Sequence, residues 1–127
     1  DDPKGKIAAV GDLVTLPVPY LDTACPQGWR TALDQVWASP FEIAIPGHGK
    51  PMTRTAFDTY RKAFGALIDC ALSSRPKEEC GAGWARDAGP VLEANGMKPE
   101  GAGKYAEYYI EEVLRAHGGK SASCKSA

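Results

Sequence analysis

The chain has 127 residues, 43% hydrophobic and 24% charged, with 15 basic and 16 acidic residues and a net charge of -1. That length suits one domain able to bury a core without needing disulfides. The balanced charge gives no support for nucleic acid or an anionic membrane as partner, and the longest apolar runs are far short of a membrane span.

The opening Asp1-Asp2-Pro3-Lys4-Gly5-Lys6 has no signal-peptide character and runs straight into a strand pattern, as though the chain began in the middle of something. Residues 7–10 and 13–16 read as strands, or as one strand broken at Gly11-Asp12. Their branched side chains suit a sheet covered on both faces. Pro17-Val18-Pro19-Tyr20 must be extended, and 21–28 is turn-prone loop. Trp29, Ala32, Leu33, Val36 and Trp37 recur at helical spacing, which predicts a helix over 29–38 with an aromatic-rich buried face, stopped by Ser39-Pro40. Residues 41–45 form the next strand, parallel to the first through a right-handed crossover.

After Gly47-His48-Gly49, Thr53 or Thr55 can cap a helix, and Thr55 with Asp58 approximates a capping box. An apolar stripe from Ala56 to Leu72 then marks about five turns. A second helix is expected over 77–88, weakened by Gly81 and Gly83 and interrupted at Pro90. Asn95-Gly96 and Gly101-Ala102-Gly103 read as loop. A last helix over 104–116, with Ala106, Ile110, Val113 and Leu114 on one face, ends at Gly118-Gly119. The tail from Lys120 is expected to fray unless Cys124 ties it down.

Four cysteines, Cys25, Cys70, Cys80 and Cys124, include no C-x-x-C pair. Cys70 and Cys80 flank a turn between two helices, where a disulfide is feasible, with Cys25–Cys124 as the remainder. The alternative is four buried thiols acting as small hydrophobes. Bridged, the protein is periplasmic or secreted, its signal lying upstream of Asp1; otherwise it is cytoplasmic.

The residues that can carry chemistry are Asp12 and His48. Each follows a strand, and in open α/β layers functional groups gather outside the carboxyl ends of strands. A carboxylate and a neutral imidazole there suit zinc or a similar divalent ion. Alone, Gly-Asp after a strand is usually just a turn. The Gly-His-Gly between strand and helix is the stronger signal, because histidine has no turn chemistry of its own.

The pair Val10-Gly11-Asp12 and Ile43-Ala44-Ile45-Pro46-Gly47-His48-Gly49-Lys50-Pro51 resembles the C-terminal half of the metallo-β-lactamase superfamily. The resemblance covers roughly residues 6–65 of the sequence. It implies half of an αββα sandwich, with Asp12 bridging two metal ions and His48 serving the second. The family's His-x-His-x-Asp-His motif is absent, since the chain's only histidines are His48 and His117. The resemblance therefore implies a fragment of a zinc hydrolase whose complete domain binds up to two ions. Metal-activated water would attack an ester, thioester, amide or lactam carbonyl, or a phosphoester. With two ligands only, the isolated chain is expected to bind metal weakly or not at all and to be inactive.

Residues 1–75 are assigned to that half domain and 76–127 to a helical extension packed on it. Tyr20 and Asp22 are substrate-pocket candidates, with Cys25 close by in sequence; for Asp22 and Cys25 the plainer readings are a turn aspartate and a structural cysteine. His117 is read as packed or as a histidine at a helix C-terminus, Trp29 and Trp37 as core, and Arg30 as an ordinary surface contact. One sheet face is expected to lie against the missing N-terminal half, which makes self-association the alternative. The rival function is a non-catalytic, exported, disulfide-bonded α/β module that binds a partner.

Overall fold

A computed structural model describes residues 6–120 and Cys124. The expectations for the first five residues and for the rest of the tail fall outside the described residues.

Strand β1 (Ile7–Gly11) leads through a long loop to helix α1 (Pro26–Ala38), then to β2 (Ile43–Pro46) and the two-residue β3 (Met52–Thr53). Helices α2 (Arg54–Ala71), α3 (Lys77–Asp87), α4 (Gly89–Ala94) and α5 (Pro99–Tyr108) follow. The last continues into a π-helical turn (Tyr109–Leu114) and a 3-10 turn (Arg115–His117). The sheet is mixed, in the order β1-β2-β3, with β1 parallel to β2 and β3 antiparallel to it. This is an α/β architecture built around a small sheet.

Alternation along the strands decides which sheet face is covered. Ala8, Val10 and Ala44 are buried against the helices, whereas Ile7, Ala9 and Ile45 are exposed and Ile43 is half-buried on the other side. Among the described residues the sheet is thus covered on one face, not on both. A continuous core runs from Ala8 to Leu114. In it Trp29 meets Phe64, Phe41 meets Phe57 and Tyr60 meets Trp84, with ring centroids 5.1, 5.2 and 5.8 Å apart.

Two arginines close helix ends, whose last carbonyls lack partners within the helix. Arg54 donates to the carbonyls of Trp37, Ser39 and Phe41 at 2.7, 2.8 and 3.2 Å, its guanidinium lying 4.0 Å from the centre of the Trp37 ring. Arg115 reaches from the last helix to the carbonyls of Ala71, Cys70 and Ser73 at the end of α2.

The expected strand over 13–16 is not formed. Gly11, at φ +52°, turns the chain out of the sheet, and the amide of Leu13 donates to the carbonyl of Val10. Val14, Val18 and Leu21 still enter the core, so that apolar run marks burial without strand pairing. Helix α1 starts at Pro26, three residues before the expected Trp29, because proline is preset for a first helical position. Phe41 is buried off the ladder, so β2 begins two residues late. Thr53, not Thr55, caps α2, its Oγ1 accepting from the amide of Ala56 at 3.1 Å; Asp58 pairs with Arg61 and Lys62 instead.

The largest correction concerns Gly101-Ala102-Gly103, which is helix, not loop. Helix α5 begins at Pro99, with proline at its first helical position, and packs closely on α3. A Cβ on Gly81 would stand 2.5 Å from the carbonyl oxygen of Gly103, and one on Gly103 would stand 2.8 Å from that of Gly81. Gly118, at φ +65°, ends the last helix as expected.

Both disulfides are formed, Cys70–Cys80 and Cys25–Cys124, and so the four cysteines are not free thiols. Cys124 is thereby tied to the start of α1. Among the described residues no helix is long and apolar enough to cross a membrane.

Candidate functional site

Because β1 and β2 are parallel neighbours, the turns that leave them emerge at the same end of the sheet. The register runs Ile7 opposite Ile43 to Ala9 opposite Ile45, then slips so that Gly11 faces Pro46. Beyond the ladder the amide of Gly47 donates to the carbonyl of Gly11 at 3.1 Å. The carboxylate of Asp12 folds over this junction, its Oδ1 standing 3.0 Å from where a Cβ on Gly47 would lie. Asp12 is therefore pressed against the residue that precedes His48.

The glycines around the histidine have separate roles. Gly47 lacks a side chain because Asp12 occupies that space, and Gly49 adopts φ +112°, which favours glycine. The far side of the turn is held by Asn95 at the end of α4. Its Oδ1 accepts from the amide of Lys50 at 3.1 Å, and its Nδ2 donates to the carbonyl of Val91 at 2.9 Å. In the sequence, Asn95-Gly96 carries only a loop signal. An asparagine beside a glycine just past a helix also provides a side-chain amide to pin a neighbouring turn.

Asp12 and His48 are both exposed. The donors suit zinc in kind but not in number, since a catalytic zinc normally takes three protein ligands. Among the described residues no group of three or more His, Cys, Asp or Glu is placed to hold a metal ion.

Beside Asp12 opens a cleft of about 540 Å³ between the end of β1, the loop before α1 and α1 itself. Val10, Leu13, Ala24 and Trp29 line it with Asp12 and Thr23. The Trp29 indole is fixed by donating its Nε1–H to the carbonyl of Leu13 at 2.7 Å.

The pocket candidates Tyr20 and Asp22 lie elsewhere on that loop. Tyr20 donates its hydroxyl to the carbonyl of Leu16 at 3.1 Å, and its ring meets Tyr105 edge-on and Tyr109 at a tilt. Burial raises the Tyr109 phenol above its ordinary pKa, with the hydrogen bond to Tyr105 and the charge of Asp22 pushing the same way. Asp22 is exposed, and Cys25, in its disulfide, is the one of the three that lines the cleft.

His117 is exposed, with Nδ1 2.8 Å from the carbonyl of Val113, so it sits at a helix end and not in the core. Trp37 is only half-buried, beneath Arg54 and Arg61. Arg30 makes a two-armed ion pair with Asp69 at 2.8 and 3.2 Å, which raises the arginine's pKa and lowers the carboxylate's.

Comparison with known proteins gives no match: no family model fits the chain, and no curated protein or solved structure matches it.

Proposed function

We propose that this chain is the C-terminal half of a zinc-dependent hydrolase similar to the metallo-β-lactamase superfamily, with Asp12 and His48 as its contribution to the metal site. One observation carries this reading: the two turns leave adjacent parallel strands at the same end and are joined there, Gly47 to Gly11, with the Asp12 carboxylate over the junction. Asp12 and His48 would hold zinc together with ligands from elsewhere, and the bound ion would supply an activated water for hydrolysis of an ester, thioester, amide or lactam. This chain's residues contribute one carboxylate and one imidazole, and the remaining ligands come from a partner segment.

The bare sheet face supports that partner. Ile7 and Ala9 on β1 and Ile45 on β2 lie exposed on the sheet face away from the helices, and β1 is an edge strand among the described residues. An apolar face of this kind packs against another sheet or a second copy of itself. Small-molecule substrate would enter after that assembly.

The test is zinc binding by the 127-residue chain and by its Asp12→Ala and His48→Ala variants, measured by calorimetry. Weak binding that both substitutions abolish supports the assignment. Binding unchanged in both variants removes it.

A second reading has its own support. Two disulfides within so short a chain fit an exported module that binds a partner without catalysis. It predicts a stable monomer with no zinc affinity.

A further inference from the structure

A second cleft, of about 370 Å³, opens on the far side of the histidine turn, between the residues that follow Gly49, the start of α2 and helix α4. Its volume lies within the roughly 300–1,000 Å³ of small-molecule sites. Every residue lining it is described, and so are the neighbours of each in sequence. Pro51, Met52 and Ala56 form one apolar side, and Pro90, Val91 and Ala94 the other. The two sides are joined before any ligand arrives. Asn95 accepts from the amide of Lys50 and donates to the carbonyl of Val91, while Met52, Phe57 and Val91 are buried in the core. A wall held in this way costs little to order on binding.

Most polar side chains of the cleft are already engaged with backbone. Besides Asn95, Thr53 accepts from the amide of Ala56, and the Thr59 hydroxyl donates to the carbonyl of Thr55 at 3.1 Å. Two groups are left for a ligand, the Lys50 ammonium and the Thr55 hydroxyl. Both residues are exposed, and neither group has an ion pair or hydrogen bond among the described residues. Lys50 is also the lone charged residue of the lining, with no Asp or Glu in the cleft to neutralise it. An aliphatic chain gains by leaving water for the apolar walls, and a carboxylate on that chain can stay at the mouth, where the flexible lysine stem brings its ammonium. A cationic head would meet a like charge and no acid.

We propose that this cleft binds a small monocarboxylate with a short aliphatic chain, the carboxylate beside Lys50 and the chain between Pro51 and α4. The site goes beyond the metal assignment and needs neither zinc nor His48, so the two stand or fall separately.

The experiment titrates the 127-residue chain, in metal-free buffer, with hexanoate, hexylammonium and acetate, followed by NMR of the methyl groups of Met52, Ala56, Val91 and Ala94. Hexanoate is expected to bind with shifts centred on these four residues, hexylammonium about tenfold more weakly, and acetate, which has the head without the chain, not measurably. Lys50→Met keeps the length of the stem and removes its charge. It should weaken hexanoate about threefold, the scale of an exposed ion pair, and erase the preference for the anion. Ala94 is exposed at the end of α4, so Ala94→Phe should fill the cleft while keeping the core intact and abolish hexanoate binding.

Equal binding of hexanoate and hexylammonium by the wild-type chain overturns the proposal, as does a preference for hexanoate that survives Lys50→Met. Absence of hexanoate binding, or shifts spread over the chain instead of centred on the cleft, overturns it without recourse to any variant. Methyl shifts that depend on protein concentration, in a chain that takes no probe, would put a second copy in the cleft and overturn it as well.

Discussion

The strand-end turns and the α3–α5 contact both depend on glycine, for opposite reasons. At the turns, Gly11 and Gly49 are needed for positive φ, and Gly47 makes room for an exposed carboxylate that is free to rotate away. Between α3 and α5 the glycines have ordinary helical backbone, and what they accommodate is another backbone. A turn can absorb an added methyl by moving a side chain. Two helices whose carbonyls already touch the space of each other's missing Cβ can absorb it only by separating.

The strongest way to break this comparison is Gly81→Ala. On propensity alone alanine should stabilise a helix interior by up to about 1 kcal/mol. Here the new methyl would stand 2.5 Å from the Gly103 carbonyl oxygen and 2.9 Å from the Glu107 side chain. Overpacking of this kind should prevail and cost about 3 kcal/mol, read as a lower urea midpoint. A midpoint that rises would show that the helices are not held at this range.

Tyr60 joins the two regions and should have the next largest effect. Its hydroxyl donates to the carbonyl of Thr15 and accepts from the Thr15 amide, both at 3.2 Å, while its ring meets Trp84 on α3. Tyr60→Phe leaves two buried backbone groups unpaired and should cost about 2 kcal/mol in the same titration. Burial also pushes the Tyr60 phenol well above its ordinary pKa of 10.0. The unfolded chain then releases this proton at a lower pH than the folded one does. Stability from this source is complete below about pH 10 and declines as pH rises above it. Tyr60→Phe should flatten that decline, leaving the part due to Tyr109, whose phenol is raised as well.

What the sequence made legible follows the same division. The helix stripes, the two parallel strands and the Gly-Asp and Gly-His-Gly turns were readable because period and turn chemistry are local. Gly101-Ala102-Gly103 reads as loop because the contact that requires glycine at Gly103 lies in α3, about twenty residues away. The run over 13–16 has the pattern of a strand without forming one, because burial alone does not say whether the backbone pairs in a ladder; here Tyr60 supplies partners for Thr15 in its place. The part Asn95 has in the candidate site is not legible in the sequence, because its bond to Lys50 spans 45 positions. Nothing local announces a contact of that length.

At the strand ends, Gly47→Ala sharpens the other side of the comparison. The added methyl would meet Asp12 Oδ1 at 3.0 Å, but its backbone neighbours in Gly11 lie at 3.5 and 3.6 Å, in ordinary contact. The carboxylate can swing into solvent, so the stability loss should stay near about 1 kcal/mol. The side-chain carboxyl resonance of Asp12 should nevertheless move, and zinc affinity, where the wild-type chain shows it, should fall with it. A loss as large as that of Gly81→Ala would mean that the turn is as rigid as the helix contact.

The smallest expected effect has the opposite sign and completes the series. Gly101 lies in the first turns of α5, exposed, with helical backbone and nothing within 4 Å of a Cβ. It sits two residues before Gly103, whose Cβ would strike α3. Helical phase turns neighbouring positions about 100° apart, so these two face different surroundings despite belonging to the same Gly-Ala-Gly run. With no clash to oppose it, Gly101→Ala should recover the propensity difference and raise stability by about 0.5–1 kcal/mol in urea titration. Gly103→Ala in the same experiment should lower it, because its Cβ would lie 2.8 Å from the Gly81 carbonyl oxygen. Opposite signs two residues apart would establish that contact with α3, and not an intrinsic preference for loop, is why this segment tolerates glycine; matching signs would return it to the loop that its composition first suggested.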